Sequence, residues 1–100
     1  MTAASFEEAT RIAETLVDSR LAACVQVLSE MQSIYLWKGK VESAREVLMI
    51  AKTTSANFDG LQSRVRALHS YETPEIIAVP ITESSAPYLE WLFAELKGNS

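Results

Sequence analysis

Apolar residues recur early in the chain at Phe6, Ala9, Ile12, Ala13, Leu16 and Val17, a helical spacing that predicts an amphipathic helix over Phe6–Ser19. Ser5-Phe6-Glu7-Glu8 fits a capping box at its start, with the Ser5 hydroxyl placed to accept from the Glu8 amide. Ala22–Leu28 and Gln32–Lys38 are rich in β-formers and predict two strands. A third is predicted over Arg45–Thr53, where Val47-Leu48-Met49-Ile50-Ala51 is continuously apolar. Such a run predicts a central strand covered on both faces. The polar stretch Lys38–Glu42 then forms the tip of a long hairpin. Phe58, Leu61, Val65 and Leu68 predict a second helix, capped by Ser55 or Asn57. Glu75–Ile81 predicts a further strand, placed by Pro80 at an edge or a bulge. Ser84 or Ser85 caps a last helix, with Pro87 in its first turn, Leu89, Leu92, Phe93 and Leu96 on its apolar face and Gly98 at its end. Strands interleaved with helices in this order predict one α+β domain over residues 1–100.

Composition adds an expectation about assembly. At 100 residues, folding hides only about 60–65% of the chain's surface. Yet 48% of the residues are apolar, a surplus that copies of the chain can bury against one another. The net charge is -4 and the nine Lys and Arg residues are scattered, so nucleic acid is not an expected partner and an anionic membrane surface would repel the protein. One cysteine, Cys24, excludes an intramolecular disulfide framework. Residues 1–8 carry no basic or apolar signal region, and no apolar run approaches the length of a membrane span. The expected setting is the reducing cytoplasm.

Candidate chemistry gathers in a few places. Cys24 lies inside a predicted strand, either as a small hydrophobe or as a thiolate ligand for a soft ion such as Cu(I), which would need a second ligand nearby. His69, the only histidine, ends a predicted helix, and Tyr71, Glu72 and Glu75 follow it within six residues. Pro74 forces Thr73 out of the helical region, so this set of hydrogen-bonding groups projects from a stiff connector. That makes it either a binding edge or an ordinary helix-to-strand connection. Trp37, beside Lys38-Gly39-Lys40 at the hairpin tip, is a candidate interface anchor. Lys52 emerges from the apolar strand, placed for an anion or simply solvated. Nucleophile-elbow, P-loop, zincin and dinucleotide-binding motifs are all missing.

Five ordered motifs resemble the CutA family, named for divalent-cation tolerance. They are Arg20-Leu21-Ala22-Ala23-Cys24-Val25, Ser33-Ile34-Tyr35-Leu36-Trp37-Lys38-Gly39-Lys40, Lys52-Thr53-Thr54, His69-Ser70-Tyr71-Glu72-Thr73-Pro74-Glu75-Ile76 and Tyr88-Leu89-Glu90-Trp91-Leu92. The resemblance implies a ferredoxin-like α/β sandwich assembling as a homotrimer, similar in architecture to the PII nitrogen-signalling proteins. It implies association with copper or another divalent cation, and the leading expectation is a non-enzymatic protein with no organic cofactor. By this resemblance Cys24 falls on the family cysteine associated with copper, and His69, Tyr71 and Glu72 on a cleft between subunits. The candidate metal ligands are then Cys24, His69 and Glu72, and the candidate cleft residues Trp37, Lys52, Tyr71, Glu72 and Glu75. The alternative it leaves is a PII-like sensor holding a small anionic ligand in the same cleft. Family members usually begin with a strand of about seven residues, for which Met1–Ser5 leaves little room. The first strand is therefore expected to be truncated and the sheet incomplete beside it.

Overall fold

Ser5 starts the first helix as the capping box predicts: its hydroxyl accepts from the Glu8 amide at 3.1 Å. The reciprocal arm departs from the motif, because the Glu8 carboxylate reaches back one residue further, to the Ala4 amide at 2.9 Å. The computed structural model describes residues 1–97, so the predicted stop at Gly98 lies outside the described residues. Helix α1 spans Phe6–Asp18. It closes in a Schellman turn in which the Leu21 amide reaches the Leu16 carbonyl at 2.9 Å. The left-handed position of that turn (φ 64°) is held by Arg20 instead of glycine. The strain is offset on the side-chain side, since the Arg20 guanidinium bonds both the Glu95 carbonyl and its carboxylate at 3.0 Å.

Three antiparallel strands form one sheet in the order β1-β3-β2, with β1 at Thr2–Ala3, β2 at Cys24–Trp37 and β3 at Lys40–Lys52. The two strands expected over 22–38 are one. Pairing slips once, between Val27 and Glu30, where two residues of β2 face one of β3, and then resumes. This is a bulge, which bends a strand without ending it. The hairpin turns at Lys38 and Gly39, both at positive φ (51° and 82°), with Trp37 directly opposite Lys40. That sign pattern belongs to a type I′ turn, whose twist matches the strands it joins.

A turn of 3-10 helix at Ser55–Asn57 leads into α2 (Phe58–Leu68), and α3 spans Ala86–Lys97. Neither Ser55 nor Asn57 caps α2 through its side chain. The core lies between the sheet and α1 and α2, where Ile12, Leu16, Val47, Met49, Leu61 and Val65 are all buried. Gly60 lets α2 come close: a Cβ there would stand 3.0 Å from Leu21 Cδ2. β3 is central, as expected, but among the described residues its second face is covered only in part. Val47 and Met49 point into the core, whereas Ile50 remains 41% exposed. The strand expected over Glu75–Ile81 is not formed either. No backbone hydrogen bond joins this run to another segment among the described residues.

Candidate functional site

His69 ends α2 and turns its ring toward the start of the chain. Its Nδ1 accepts from the Tyr71 amide at 3.0 Å, and its Nε2 meets the Thr2 carbonyl at 2.8 Å. A carbonyl only accepts, so the proton belongs on Nε2 and the ring is the neutral tautomer with both nitrogens engaged. The Tyr71 ring packs against it at 4.8 Å between centroids, and the Tyr71 hydroxyl donates to Glu46 at 3.0 Å. Burial, followed by the bond to Glu46, pushes the Tyr71 phenol up to about 12.

Glu8 completes this cluster from α1. One carboxylate oxygen takes the Ala4 amide and the other takes the Ser70 amide at 2.7 Å. Burial acts to raise its pKa, but the bonds from Ala4 and Ser70 outweigh it and hold the carboxyl below its ordinary value. The buried carboxylates Glu8 and Glu46 thus lock the connector 69–71 onto α1 and β3. Sequence reasoning singled out the connector and missed these two partners. Glu8 carried a signal as a capping residue, and Glu46 only as an acidic residue at the edge of an apolar strand.

The other expected site residues lie elsewhere. Cys24, half-buried, begins β2 directly opposite Lys52 on β3, and the Lys52 ammonium donates to Gln26. Glu46 is six residues from Lys52 along β3, which places the Tyr71 cluster roughly 20 Å from the Cys24 end. Trp37 stands at the other end of the hairpin, exposed, with the Lys38 ammonium 5.8 Å from its ring; thirteen residues of strand put it roughly 40 Å from Cys24. Glu72 and Glu75 are exposed. One chain therefore brings His69 and Tyr71 together, and lines one groove with Lys52 and Glu75. It does not bring Cys24, His69 and Glu72 together. Among the described residues no three His, Cys, Asp or Glu side chains are placed to hold a metal ion, so these donors do not fit a metal within a single chain.

Comparison with known proteins extends over nearly the whole chain. A family model described as CutA1 divalent ion tolerance protein matches residues 1–95. The divalent-cation tolerance protein CutA of Thermus thermophilus is 48% identical over 92 residues, covering 92% of this chain and 89% of that protein. Human protein CutA is 46% identical over 84 residues, 84% of this chain and 47% of its own length. Among solved structures, the Cut A1 protein of T. thermophilus superposes with a TM-score of 0.90 at 48% identity, over 91% of this chain and 88% of that one. The periplasmic divalent cation tolerance protein CutA of Archaeoglobus fulgidus gives 0.92 at 43% identity, over 95% and 92%. The ferredoxin-like character of the sheet and helices accords with these neighbours.

Proposed function

The chain belongs to the CutA1 divalent ion tolerance family, and on that premise we propose that it is a non-enzymatic homotrimer of the cytoplasm that binds a divalent cation, copper first, between subunits. The observation that carries this reading is the outer half of the hairpin. Leu36 and Val41 face each other across it at 73% and 74% exposure, with Ile34 and Trp37 also exposed. An apolar arm of this kind favours association with copies of the chain. Association is also what the donor set requires. Cys24, His69 and Glu72 stand apart in one chain, so a site using them would draw on different subunits, with Trp37, Lys52, Tyr71, Glu72 and Glu75 along the cleft.

The donors are not equal in this reading. A cation on either nitrogen of His69 would have to displace the Tyr71 amide or the Thr2 carbonyl. The Cys24 thiolate loses no hydrogen bond by ligation and, as a soft ligand, suits copper or zinc. Titration of the protein with copper should therefore show a Cys24→Ser affinity at least about tenfold weaker, with His69→Ala affected less. Equal copper affinity for wild type and Cys24→Ser would contradict the thiolate reading.

A second reading rests on Lys52. Among the described residues it makes no ion pair, and Gln26 is a neutral partner, so its charge is available to a small anion. A metabolite that raises the Tm of the wild type but not of Lys52→Met would favour a sensor over a cation carrier.

A further inference from the structure

Residues 69–71 turn their donors, and both nitrogens of the His69 ring, on groups of their own chain. The His69 amide closes α2 on the Val65 carbonyl at 2.8 Å. The Ser70 amide goes to Glu8 on α1 at 2.7 Å, and the Tyr71 hydroxyl goes to Glu46 on β3 at 3.0 Å. The His69 ring meets the Thr2 carbonyl of β1 at 2.8 Å and the Tyr71 amide at 3.0 Å, with the Tyr71 ring packed beside it. Three residues thus tie the end of α2 to β1, α1 and β3. Among the described residues no buried side-chain nitrogen or oxygen lacks a partner.

A cation ligand must offer a free lone pair, and this histidine has none. Nε2 carries the ring proton, because its partner is a carbonyl. Freeing Nε2 would move that proton to Nδ1, opposite the Tyr71 N–H. Two donors would then face each other, and both bonds of the ring would be lost. Ligation through Nδ1 would instead put the ion where the Tyr71 amide stands. Displacing that amide pulls on Ser70 and on the Tyr71 hydroxyl, which Glu8 and Glu46 hold. Glu72 and Glu75 meet no such obstacle: both are exposed, and neither makes an ion pair among the described residues.

We infer that His69 is a structural clasp and not a cation ligand. It fixes the connector inside one chain and leaves Glu72 and Glu75 as the carboxylates that the connector presents to a cation or to a neighbouring subunit. The clasp needs neither an ion nor a second subunit, since Thr2, Glu8 and Glu46 all come from the same chain. Glu72 then sits between two fixed points, the clasp before it and Pro74 after it, which narrows where its carboxylate can go. The role left to Glu72 and Glu75 rests on the cation reading above; the clasp itself does not.

The test uses the whole chain with the ring nitrogens of its single histidine isotopically labelled, so that one pair of NMR signals reports which nitrogen holds the proton. At neutral pH the proton is expected on Nε2 in the metal-free protein. The same pattern is expected with zinc, a diamagnetic divalent probe, at a concentration where native mass spectrometry shows the ion bound. His69→Ala should speed amide exchange at Tyr71 by at least about tenfold, and at Ser70 as well, while leaving the β2–β3 ladder unchanged. His69→Gln keeps a donor for the Thr2 carbonyl and should recover part of the Tm lost in His69→Ala. A proton on Nδ1 in the metal-free protein overturns the inference. So does loss of the Nε2 proton as zinc binds, or an unchanged exchange rate at Tyr71 in His69→Ala. If neither zinc nor copper is bound, the cation reading fails, and the metal-free spectrum still decides the clasp.

Discussion

Glu8 shows how much one side chain can settle at this scale. It terminates the free amides of Ala4 and Ser70, sixty-two residues apart from Glu8 in the second case, and so joins the helix start to the connector after α2. Glu8→Gln keeps an acceptor for only one of these amides and should lower stability by about 1–3 kcal/mol in urea unfolding. The acid dependence has a definite sign. A carboxyl held below its ordinary 4.5 stabilises the fold fully above that pH, and the contribution is lost as pH falls through the lower folded value. The variant should therefore show a shallower loss of stability on acidification than the wild type. Tyr71 gives the opposite case. Its phenol is raised from 10.0 to about 12, so its contribution is whole below pH 10 and fades as pH climbs toward 12. Tyr71→Phe should be less stable at neutral pH, with a flatter alkaline profile. His69 and its motif were visible in the sequence as a rigid connector rich in hydrogen-bonding groups. What those groups bond to was not, because Thr2, Glu8 and Glu46 come from elements that only the fold brings beside them.

Between elements, the hairpin and the two outer helices follow from local chemistry to different degrees. The turn at Lys38-Gly39 places a lysine where asparagine is favoured, so Lys38→Asn should raise stability by a few tenths of a kcal/mol and Gly39→Ala should lower it by about 1 kcal/mol. Chemical denaturation of both variants checks the pair. Arg20 carries the reverse compromise, accepting a left-handed backbone in order to hold α3 through Glu95. Arg20→Gly should relax the end of α1 and speed amide exchange in α3, where Leu92 is the single buried residue. The amphipathic period of α1 was legible to within a residue of its observed end. The strands were legible in composition and less so in extent. A bulge at Leu28–Ser29 resembles a break when pairing is unknown. Glu75–Ile81 has a strand's residues, but a strand is a property of two segments, and among the described residues no second segment bonds to its backbone.

For the whole molecule, the apolar surplus seen in composition is now located. It lies on the outer hairpin, along Ile77, Val79 and Ile81, and on Tyr88, Trp91 and Phe93 of α3, so the surface left open by one chain is extensive. Among the described residues no helix is long and apolar enough to cross a membrane, so this surface is not that of a membrane-spanning helix. Assembly into a trimer would give a mass of about 33 kDa, three times 11.1 kDa. Leu36→Lys paired with Val41→Lys, at the most exposed apolar rung of the arm, should shift the protein toward smaller species in light scattering. The central claim joins this assembly to cation binding between subunits, and native mass spectrometry during a copper titration reads both at once. The account predicts a species of about 33 kDa that takes up copper, and a Cys24→Ser protein of the same mass that takes up less. Copper held with equal affinity by an 11.1 kDa monomer, or a trimer that acquires none, would contradict it.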